Sequence, residues 1–257
     1  HLAQLDKRSR KIDWAGLLRP DVPFRVEATC RKSRIYHAGA AAERVSKAIT
    51  DAIGAEPVSK DAITVRVRIE DDLCEISLDT SREPLHRRGH KQAVGKAPMR
   101  DTLAALFLRS CGYDGSEPVI DPMCGSGTFV LEAAEIALGL APGRGRSFGF
   151  ERLASFDPEA WNTMVSNLPS SNPPDHMYLG FDRDAGAVSN ATANATRAGL
   201  SQVTEFKHQA VADFTPPNGR PGLVIVNPPY GARIGNRKLL FALYGSFGAV
   251  MKDRFKG

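Results

Sequence analysis

Three short motifs contain residue types that can bind a ligand or act on it, and each follows a stretch typical of a buried strand. The first is the run DPMCGSGT from Asp121 to Thr128, which opens a helix. Its glycines allow a sharp bend, and free N–H groups in such a turn point at a bound ligand. The run lacks the Gly-Lys-Ser/Thr ending of a P-loop and the GxGxxG spacing of a dinucleotide site. Asp121 would repel phosphate, so the motif favours an ammonium or hydroxyl donor, or else it is a tight turn without a ligand.

The second motif is an acidic pair at the end of the next predicted strand, in the run FDRD. A carboxylate at this edge of a doubly wound sheet is placed to accept both hydroxyls of a ribose. We interpret Asp184 as the N-cap of the following helix, because Asp is favoured at that position. Asp182 is therefore the candidate ligand.

The third motif, NPPY, follows the apolar run LVIV directly. Two consecutive prolines cannot continue a strand ladder, so they stiffen a short loop at the strand end. The amide oxygen of Asn227 and the carbonyl of Pro228 can accept both hydrogens of an NH2 group, and Tyr230 can stack on the planar group that carries it. The alternative is a rigid loop with a buried tyrosine.

The elements that must position these motifs fall into two patterns. Residues 20–80 show the order strand, helix, strand, strand, which predicts a small α+β module within a first domain of residues 1–80. Residues 81–99 lack periodicity and are rich in basic residues, which predicts a linker. From residue 100 to 257, helices alternate with short apolar strands, which predicts an α/β fold with a doubly wound parallel sheet. Residues 141–177 are predicted to be an insertion in it.

Composition narrows the class of protein. The 257 residues are 42% hydrophobic and 25% charged, as in ordinary globular domains. No apolar run approaches the about 18 residues that a membrane span needs, and no signal-peptide pattern opens the sequence. Four cysteines without a CxxC pair argue against a zinc site and against a disulfide scaffold. We therefore expect a cytoplasmic protein with reduced thiols, without a bound metal and without membrane contact.

Charge is distributed unevenly along the chain, whose net charge is +5. Residues 1–100 hold 20 Lys+Arg against 14 Asp+Glu, whereas residues 101–257 hold 14 against 15. This distribution predicts a polyanion-binding part joined to a part with another task. The alternative is a basic surface that serves solubility alone.

The motifs together resemble a known family. DPMCGSGT, Asp182 and NPPY, in this order, are similar to class I S-adenosylmethionine-dependent methyltransferases that act on amino groups. Four further stretches resemble the THUMP-domain methyltransferases that modify guanine N2 in bacterial large-subunit ribosomal RNA. They are residues 33–45 (SRIYHAGAAAERV), 78–91 (LDTS and HRRGHK), 96–105 (KAPMRDTLAA) and 147–161 (SFGFERLASFDPEAW). The resemblance implies a Rossmann-like sheet preceded by a THUMP-like module. It also implies that the chain is incomplete at both ends.

The resemblance implies site residues where the motifs match. Asp121 would orient the methionine ammonium of the cofactor, Asp182 would hold its ribose, and Asp213 would lie on the adenine side. The turn under the cofactor would comprise Met123, Cys124, Gly125, Ser126, Gly127 and Thr128. The catalytic residues would be Asn227, Pro228, Pro229 and Tyr230.

RNA is the implied partner, and ribosomal RNA is the RNA expected to be the substrate. The sequence does not indicate the oligomeric state. The candidate RNA contacts are the basic residues Arg31, Lys32, Arg34, Arg87, Arg88 and Lys91. The alternatives are a guanine-N2 methyltransferase of tRNA, a DNA adenine-N6 methyltransferase and a protein glutamine methyltransferase. An RNA-binding protein without activity would not need an intact NPPY, and an oxidoreductase would need the GxGxxG spacing.

Overall fold

The computed structural model describes residues 1–92, 99–168, 172–217, 219–230 and 237–255. The chain folds into two compact units. The first comprises His1–Pro84 and Ser147–Asn167, and the second comprises Leu85–Arg146 and Leu168–Gly257. The predicted linker is therefore divided between the units, and the middle of the predicted insertion belongs to the first unit. Both boundaries are corrected here.

The first unit contains the predicted order of strand, helix, strand, strand. Strands β1 (Phe24–Arg31) and β2 (Ile63–Glu70) are parallel, and β3 (Leu73–Leu78) runs antiparallel to β2. Helix α3 (Ala38–Ile53) connects β1 to β2, and Gly54 ends it in the left-handed conformation at φ 75°. The short helices α1 (Leu2–Ser9) and α2 (Trp14–Leu17) precede the sheet. Their apolar residues pack into one core with α3 and the inner faces of β1 and β2.

Residues 147–167 complete the first unit. They form a 3-10 helix (Gly149–Arg152) and helix α6 (Pro158–Ser166). Phe150 N donates to the Thr80 carbonyl at 3.1 Å, and Ala154 N donates to the Leu17 carbonyl at 3.0 Å. These backbone bonds attach the segment to two separate parts of the unit, which explains why the middle of the predicted insertion groups there.

The second unit is a doubly wound parallel α/β sheet, as predicted. Its strands are β4 (Val119–Asp121), β5 (Tyr178–Asp182), β6 (Thr204–His208) and β7 (Leu223–Val224), in the spatial order β6-β5-β4-β7. Its helices are α4 (Asp101–Ser110), α5 (Thr128–Ala137), α7 (Ala185–Ala198) and α8 (Arg237–Arg254). From β4 the chain adds β5 and β6 on one side of the sheet and then β7 on the other side, so the strand order switches between β4 and β7. Open α/β sheets bind ligands beyond the carboxyl ends of the strands at such a switch point.

Helix α5 lies at the centre of the second unit, because its first eight residues are all buried. Two of them, Glu132 and Glu135, are acidic, and buried charges require partners. The Arg88 guanidinium donates to both carboxylate oxygens of Glu132 at 3.0 and 3.1 Å. The charged partner of Glu135 is Arg144, whose guanidinium lies 2.7 Å from a carboxylate oxygen, and His90 Nδ1 lies 3.6 Å from the same oxygen. Residues 88–90 of the predicted linker are therefore packed into this unit.

Arg88 and Lys91, two of the predicted RNA contacts, are buried in this packing and do not fit that role. The Arg88 side chain is only 10% exposed, and the Lys91 side chain is 7% exposed. Lys91 Nζ lies 2.9 Å from Asp101 Oδ1. Both cations neutralise buried carboxylates, so neither is presented to a nucleic acid.

The excess of basic over acidic residues lies in the second unit, not in the N-terminal part of the chain as predicted. The first unit holds 16 of the 34 Lys+Arg and 17 of the 29 Asp+Glu, and the second holds 18 and 12. Residues 85–100 contain five basic residues and no acidic one, and they lie in the second unit. The predicted charge asymmetry is therefore reversed. Among the helices that the structure describes, none is long and apolar enough to cross a membrane.

Candidate active site

The three motifs meet at the carboxyl edge of the sheet in the second unit. A cavity of about 380 Å³ lies there, and residues of all three motifs line it. Its walls include Met123, Asp182, Val211, Asn227 and Tyr230. The strands that carry the motifs are neighbours or next neighbours in the sheet, which is why residues more than 100 positions apart meet.

The first motif forms a tight turn between β4 and α5, which we call the glycine turn (residues 122–127). Gly127 N donates to the Cys124 carbonyl at 2.8 Å, and Cys124 N donates to the Phe181 carbonyl at 2.8 Å. Gly127 has φ 85°, and a Cβ there would lie 3.0 Å from the Phe206 ring. Both the backbone conformation and the lack of space therefore require glycine at this position. Cys124, Ser126 and Thr128 are buried.

Asp182 fastens the glycine turn to the end of β5. Its Oδ2 accepts a hydrogen bond from Gly125 N at 3.0 Å, and its Oδ1 accepts one from Asp184 N at 2.9 Å. Each carboxylate oxygen can accept a second hydrogen bond. The half-buried side chain can therefore still bind two neighbouring hydroxyl groups, as the ribose of the expected cofactor requires.

Asp121 lies beneath the glycine turn and is 2% exposed. Its Oδ1 accepts a hydrogen bond from Met123 N at 3.0 Å. Burial raises the pKa of Asp121 to about 7, and the charge of Asp182 adds to the rise. A cationic group beside it would favour the ionised form again. Asp121 is not among the residues that line the cavity, so its contact with the ammonium group of S-adenosylmethionine stays a prediction.

Asp213, the acid predicted to lie on the adenine side of the cofactor, is not among the residues that line the cavity. Asp213 ends the 3-10 helix Val211–Asp213 and is exposed, whereas Val211 of the same helix lines the cavity. Val211 was missed by the sequence analysis, as were Arg183 and Leu243, which also line the cavity. The position of Val211 just after β6 is the signal that could have identified it. The role of Asp213 stays a prediction.

The NPPY loop continues from β7. Ile225 N donates to the Ile120 carbonyl at 3.0 Å, so pairing with β4 extends to the residue just after β7. The Pro229 carbonyl accepts a hydrogen bond from the Tyr244 hydroxyl of α8 at 2.6 Å. Asn227 is half-buried at the cavity, and Tyr230 is 70% exposed. The alternative of a rigid loop around a buried tyrosine is therefore wrong, and the ring face is available for stacking.

The remaining basic candidates lie on surfaces. Arg31, Lys32 and Arg34 of the first unit are exposed, as is Arg87 of the second. Arg31 lies 3.5 Å from Glu70, and Arg34 lies 3.4 Å from Asp72. Their contact with RNA stays a prediction. Within the described ranges, no group of three or more His, Cys, Asp or Glu side chains is arranged to hold a metal ion.

Comparison with known proteins agrees with this geometry. Residues 88–257 match the family model described as "RMKL-like, methyltransferase domain". The "Ribosomal RNA large subunit methyltransferase K/L" of Vibrio campbellii is 36% identical over 260 residues, which cover 96% of this chain and 37% of that protein. The chain thus spans little more than a third of the length of that relative.

Two solved structures resemble the fold closely. A crystal structure from Listeria monocytogenes, described as a "predicted N6-adenine-specific DNA methylase", has a TM-score of 0.84 and 29% identity, over 99% of this chain and 69% of that one. SMU.472, crystallised with SAH, has a TM-score of 0.78 and 26% identity, over 98% and 69%.

SAH is what S-adenosylmethionine becomes after it has given up its methyl group. The predicted methyltransferase fold and the predicted cofactor, S-adenosylmethionine, are therefore confirmed. The match begins at residue 88, so it includes the segment whose buried ion pairs attach it to α4 and α5. Sequence match and fold agree, and the chain belongs to the RMKL-like methyltransferase domain family.

Proposed function

We propose that this protein transfers a methyl group from S-adenosylmethionine to the exocyclic N2 amine of a guanosine in RNA, with large-subunit ribosomal RNA as the substrate. One observation carries the proposal. A single cavity is lined both by Asp182, which can bind the cofactor ribose, and by the Asn227–Tyr230 set, which can bind a planar amine. The name of the Vibrio relative supports the choice of ribosomal RNA.

The NPPY loop would prepare the amine for attack. The lone pair of an exocyclic base amine is delocalised into the ring, which makes the nitrogen a poor nucleophile. The Asn227 amide oxygen and the Pro228 carbonyl would accept its two hydrogens and hold the nitrogen lone pair out of conjugation. Tyr230 would stack on the base and fix its plane. When bound, S-adenosylmethionine supplies the sulfonium methyl group.

The reaction then needs little acid–base chemistry. As the nitrogen–carbon bond forms and the sulfur–carbon bond breaks, the electron pair passes to sulfur, and the methylated amine releases a proton to water. Positioning of two reactants can supply about 7–11 kcal/mol of catalysis. A site built from an amide, a carbonyl and a ring, without histidine or lysine, fits this requirement.

RNA binding would depend on basic residues of both units. The basic excess of the second unit favours phosphate contacts, because most RNA affinity comes from the phosphate backbone. The exposed residues Arg31, Lys32, Arg34 and Arg87 are further candidates. In this proposal the first unit is a THUMP-like RNA-binding module, and the protein acts in the cytoplasm, where ribosomal RNA is found.

Mass spectrometry of nucleic acids and proteins from a deletion strain tests the proposal. We expect one guanosine of large-subunit ribosomal RNA to lose its N2 methyl group, and the intact gene to restore it. A matched strain carrying Asn227→Ala should not restore it. Loss of a methylguanosine from tRNA, or of N6-methyladenine from DNA, would instead support the alternative substrates, and loss of glutamine methylation would identify a protein substrate.

A further inference from the structure

A chain of hydrogen bonds within the second unit connects the glycine turn to the segment 88–91. Asn194 on α7 is 0% exposed, and its Nδ2 donates to the Ser126 carbonyl in the turn at 3.1 Å. Arg197, three residues later on the same helix, donates to Asn194 Oδ1. The Nε of Arg197 donates to the His90 carbonyl at 2.9 Å. Two side chains thus join the carbonyl groups of Ser126 and His90, which are 36 residues apart in sequence.

The glycine turn is held from two sides by these contacts. On one side, Gly125 N is bound by Asp182 at the end of β5. On the other side, the Ser126 carbonyl is bound by Asn194 from α7. A Cβ at Gly127 would lie 3.1 Å from Ala191 Cβ, so α7 also packs directly against the turn. Small movements of α7 would therefore change the backbone groups that face the cofactor.

The segment 88–91, at the other end of this series of hydrogen bonds, is held in place by ion pairs and close packing. The ion pairs of Arg88 with Glu132 and of Lys91 with Asp101 flank His90 on both sides. Gly89 lies between them at φ 99°, where a Cβ would come within 2.3 Å of the Gly145 carbonyl oxygen. The His90 carbonyl is thus a fixed acceptor for Arg197.

We propose that Asn194 and Arg197 are positioning residues for the cofactor, and that they couple cofactor binding to the docking of the segment 88–91. The docked segment fixes Arg197, Arg197 fixes the Asn194 amide, and that amide fixes the Ser126 carbonyl. Coupling between two sites is reciprocal, so a bound cofactor also stabilises the docked segment. The inference rests on cofactor binding alone and is independent of the RNA substrate.

Calorimetry with S-adenosylhomocysteine and the full chain tests the first half of the inference. In a variant whose glycine turn has lost this support, cofactor binding has to restore the order of the turn, and the loss of one buried hydrogen bond is then enough for an about tenfold change in affinity. We therefore expect Arg197→Ala and Asn194→Ala each to raise the Kd about tenfold, and Arg197→Lys, which keeps a donor, to restore part of the affinity. Asn194→Asp keeps the acceptor for Arg197 but loses the donor to Ser126, so it should bind as weakly as Asn194→Ala.

Arg144→Ala is the matched control. Arg144 donates to the Ala198 carbonyl at the end of α7 at 2.9 Å and pairs with Glu135 at 2.7 Å. Its loss removes a partly exposed hydrogen bond to α7 and the cationic partner of the buried Glu135, without touching Asn194 or the glycine turn. We expect its Kd to match the wild type, whatever happens to its melting temperature. An equal rise in Kd for Arg144→Ala would mean that the effect is general destabilisation and would overturn the inference.

Amide hydrogen exchange tests the reciprocal half. S-adenosylhomocysteine should slow exchange at residues 88–92 in the wild type and in Arg144→Ala, but not in Arg197→Ala. If Arg197→Ala does not fold, Arg197→Lys should show a smaller slowing than the wild type. Unchanged exchange at residues 88–92 in the liganded wild type would overturn the coupling. Neither readout involves RNA, so failure here is distinguishable from failure of the proposed methylation.

Discussion

Replacement of Asp121 by asparagine should make the free protein more stable while it weakens cofactor binding. The carboxyl is buried and has a pKa of about 7, against an ordinary value of 3.8. Its folded-state pKa is therefore raised, so the unfolded chain releases this proton at lower pH than the folded protein does. The stability penalty starts to grow near pH 4, increases as the pH rises towards 7, and is constant above that.

The size of the effect follows from the difference between the two pKa values, 3.8 and about 7. At about 1.36 kcal/mol for each unit of pKa, the penalty from Asp121 is roughly 2 kcal/mol at pH 5 and roughly 4 kcal/mol at pH 8. Asparagine cannot ionise, yet its side-chain oxygen can still accept the hydrogen bond from Met123 N. Asp121→Asn should therefore gain stability over the wild type, and the gain should increase between pH 5 and pH 8.

Urea unfolding of both proteins at pH 5 and pH 8, without ligand, measures this difference. Calorimetry with S-adenosylhomocysteine supplies the second half of the test, because a ligand ammonium beside Asp121, as predicted, would pair only with the ionised acid. The wild-type Kd should fall as the pH rises from 5.5 to 7.5, and Asp121→Asn should bind weakly with less dependence on pH. A stability gain that is the same at both pH values would refute the argument from burial.

Three further outcomes follow from the contacts described above. Asp182→Ala should weaken cofactor binding by about 1.5–3 kcal/mol, because charge-assisted hydrogen bonds are lost, and calorimetry measures it. Asn227→Ala should leave the Kd for S-adenosylhomocysteine unchanged while RNA methylation falls by about two orders of magnitude, or roughly 2.7 kcal/mol in the barrier. Tyr230→Phe should stay active in the same assay. Equal losses of methylation in both variants would contradict the assigned roles. Arg88→Ala should lower the free energy of unfolding by about 3–5 kcal/mol because Glu132 keeps its buried charge without a partner, and a loss below about 1 kcal/mol in urea unfolding would show that water reaches the pair.

Features that depend on neighbouring residues were predictable from the sequence. The glycine turn and the N-cap of α7 both lie where the pattern places them. Asp184 caps α7 by accepting a hydrogen bond from Gly186 N at 2.8 Å, which is a bond between residues two apart. Local chemistry determines such positions, so a single sequence is enough to find them.

Features that depend on distant partners were not predictable. Arg88 and Lys91 look like surface residues because basic side chains are rarely buried. Glu132, the partner of Arg88, lies 44 residues later on a helix that the sequence analysis identified only by its apolar pattern. Likewise, Val211 reaches the cavity only because β6 lies beside β5. Such pairings exist only in the assembled sheet, so composition and spacing carry no sign of them.

The discontinuity of the first unit has a consequence for its synthesis on the ribosome. Its last segment, Ser147–Asn167, is separated from His1–Pro84 by the whole of Leu85–Arg146. At translation rates of about 5–20 residues per second, those intervening residues take roughly 3–12 s to emerge. During that delay the nascent first unit exposes the apolar surface that residues 147–167 later cover. A fragment that ends at residue 84 would lack Leu153, which packs against the core of the first unit, so we expect an excised form of that unit to be more stable when it includes both segments.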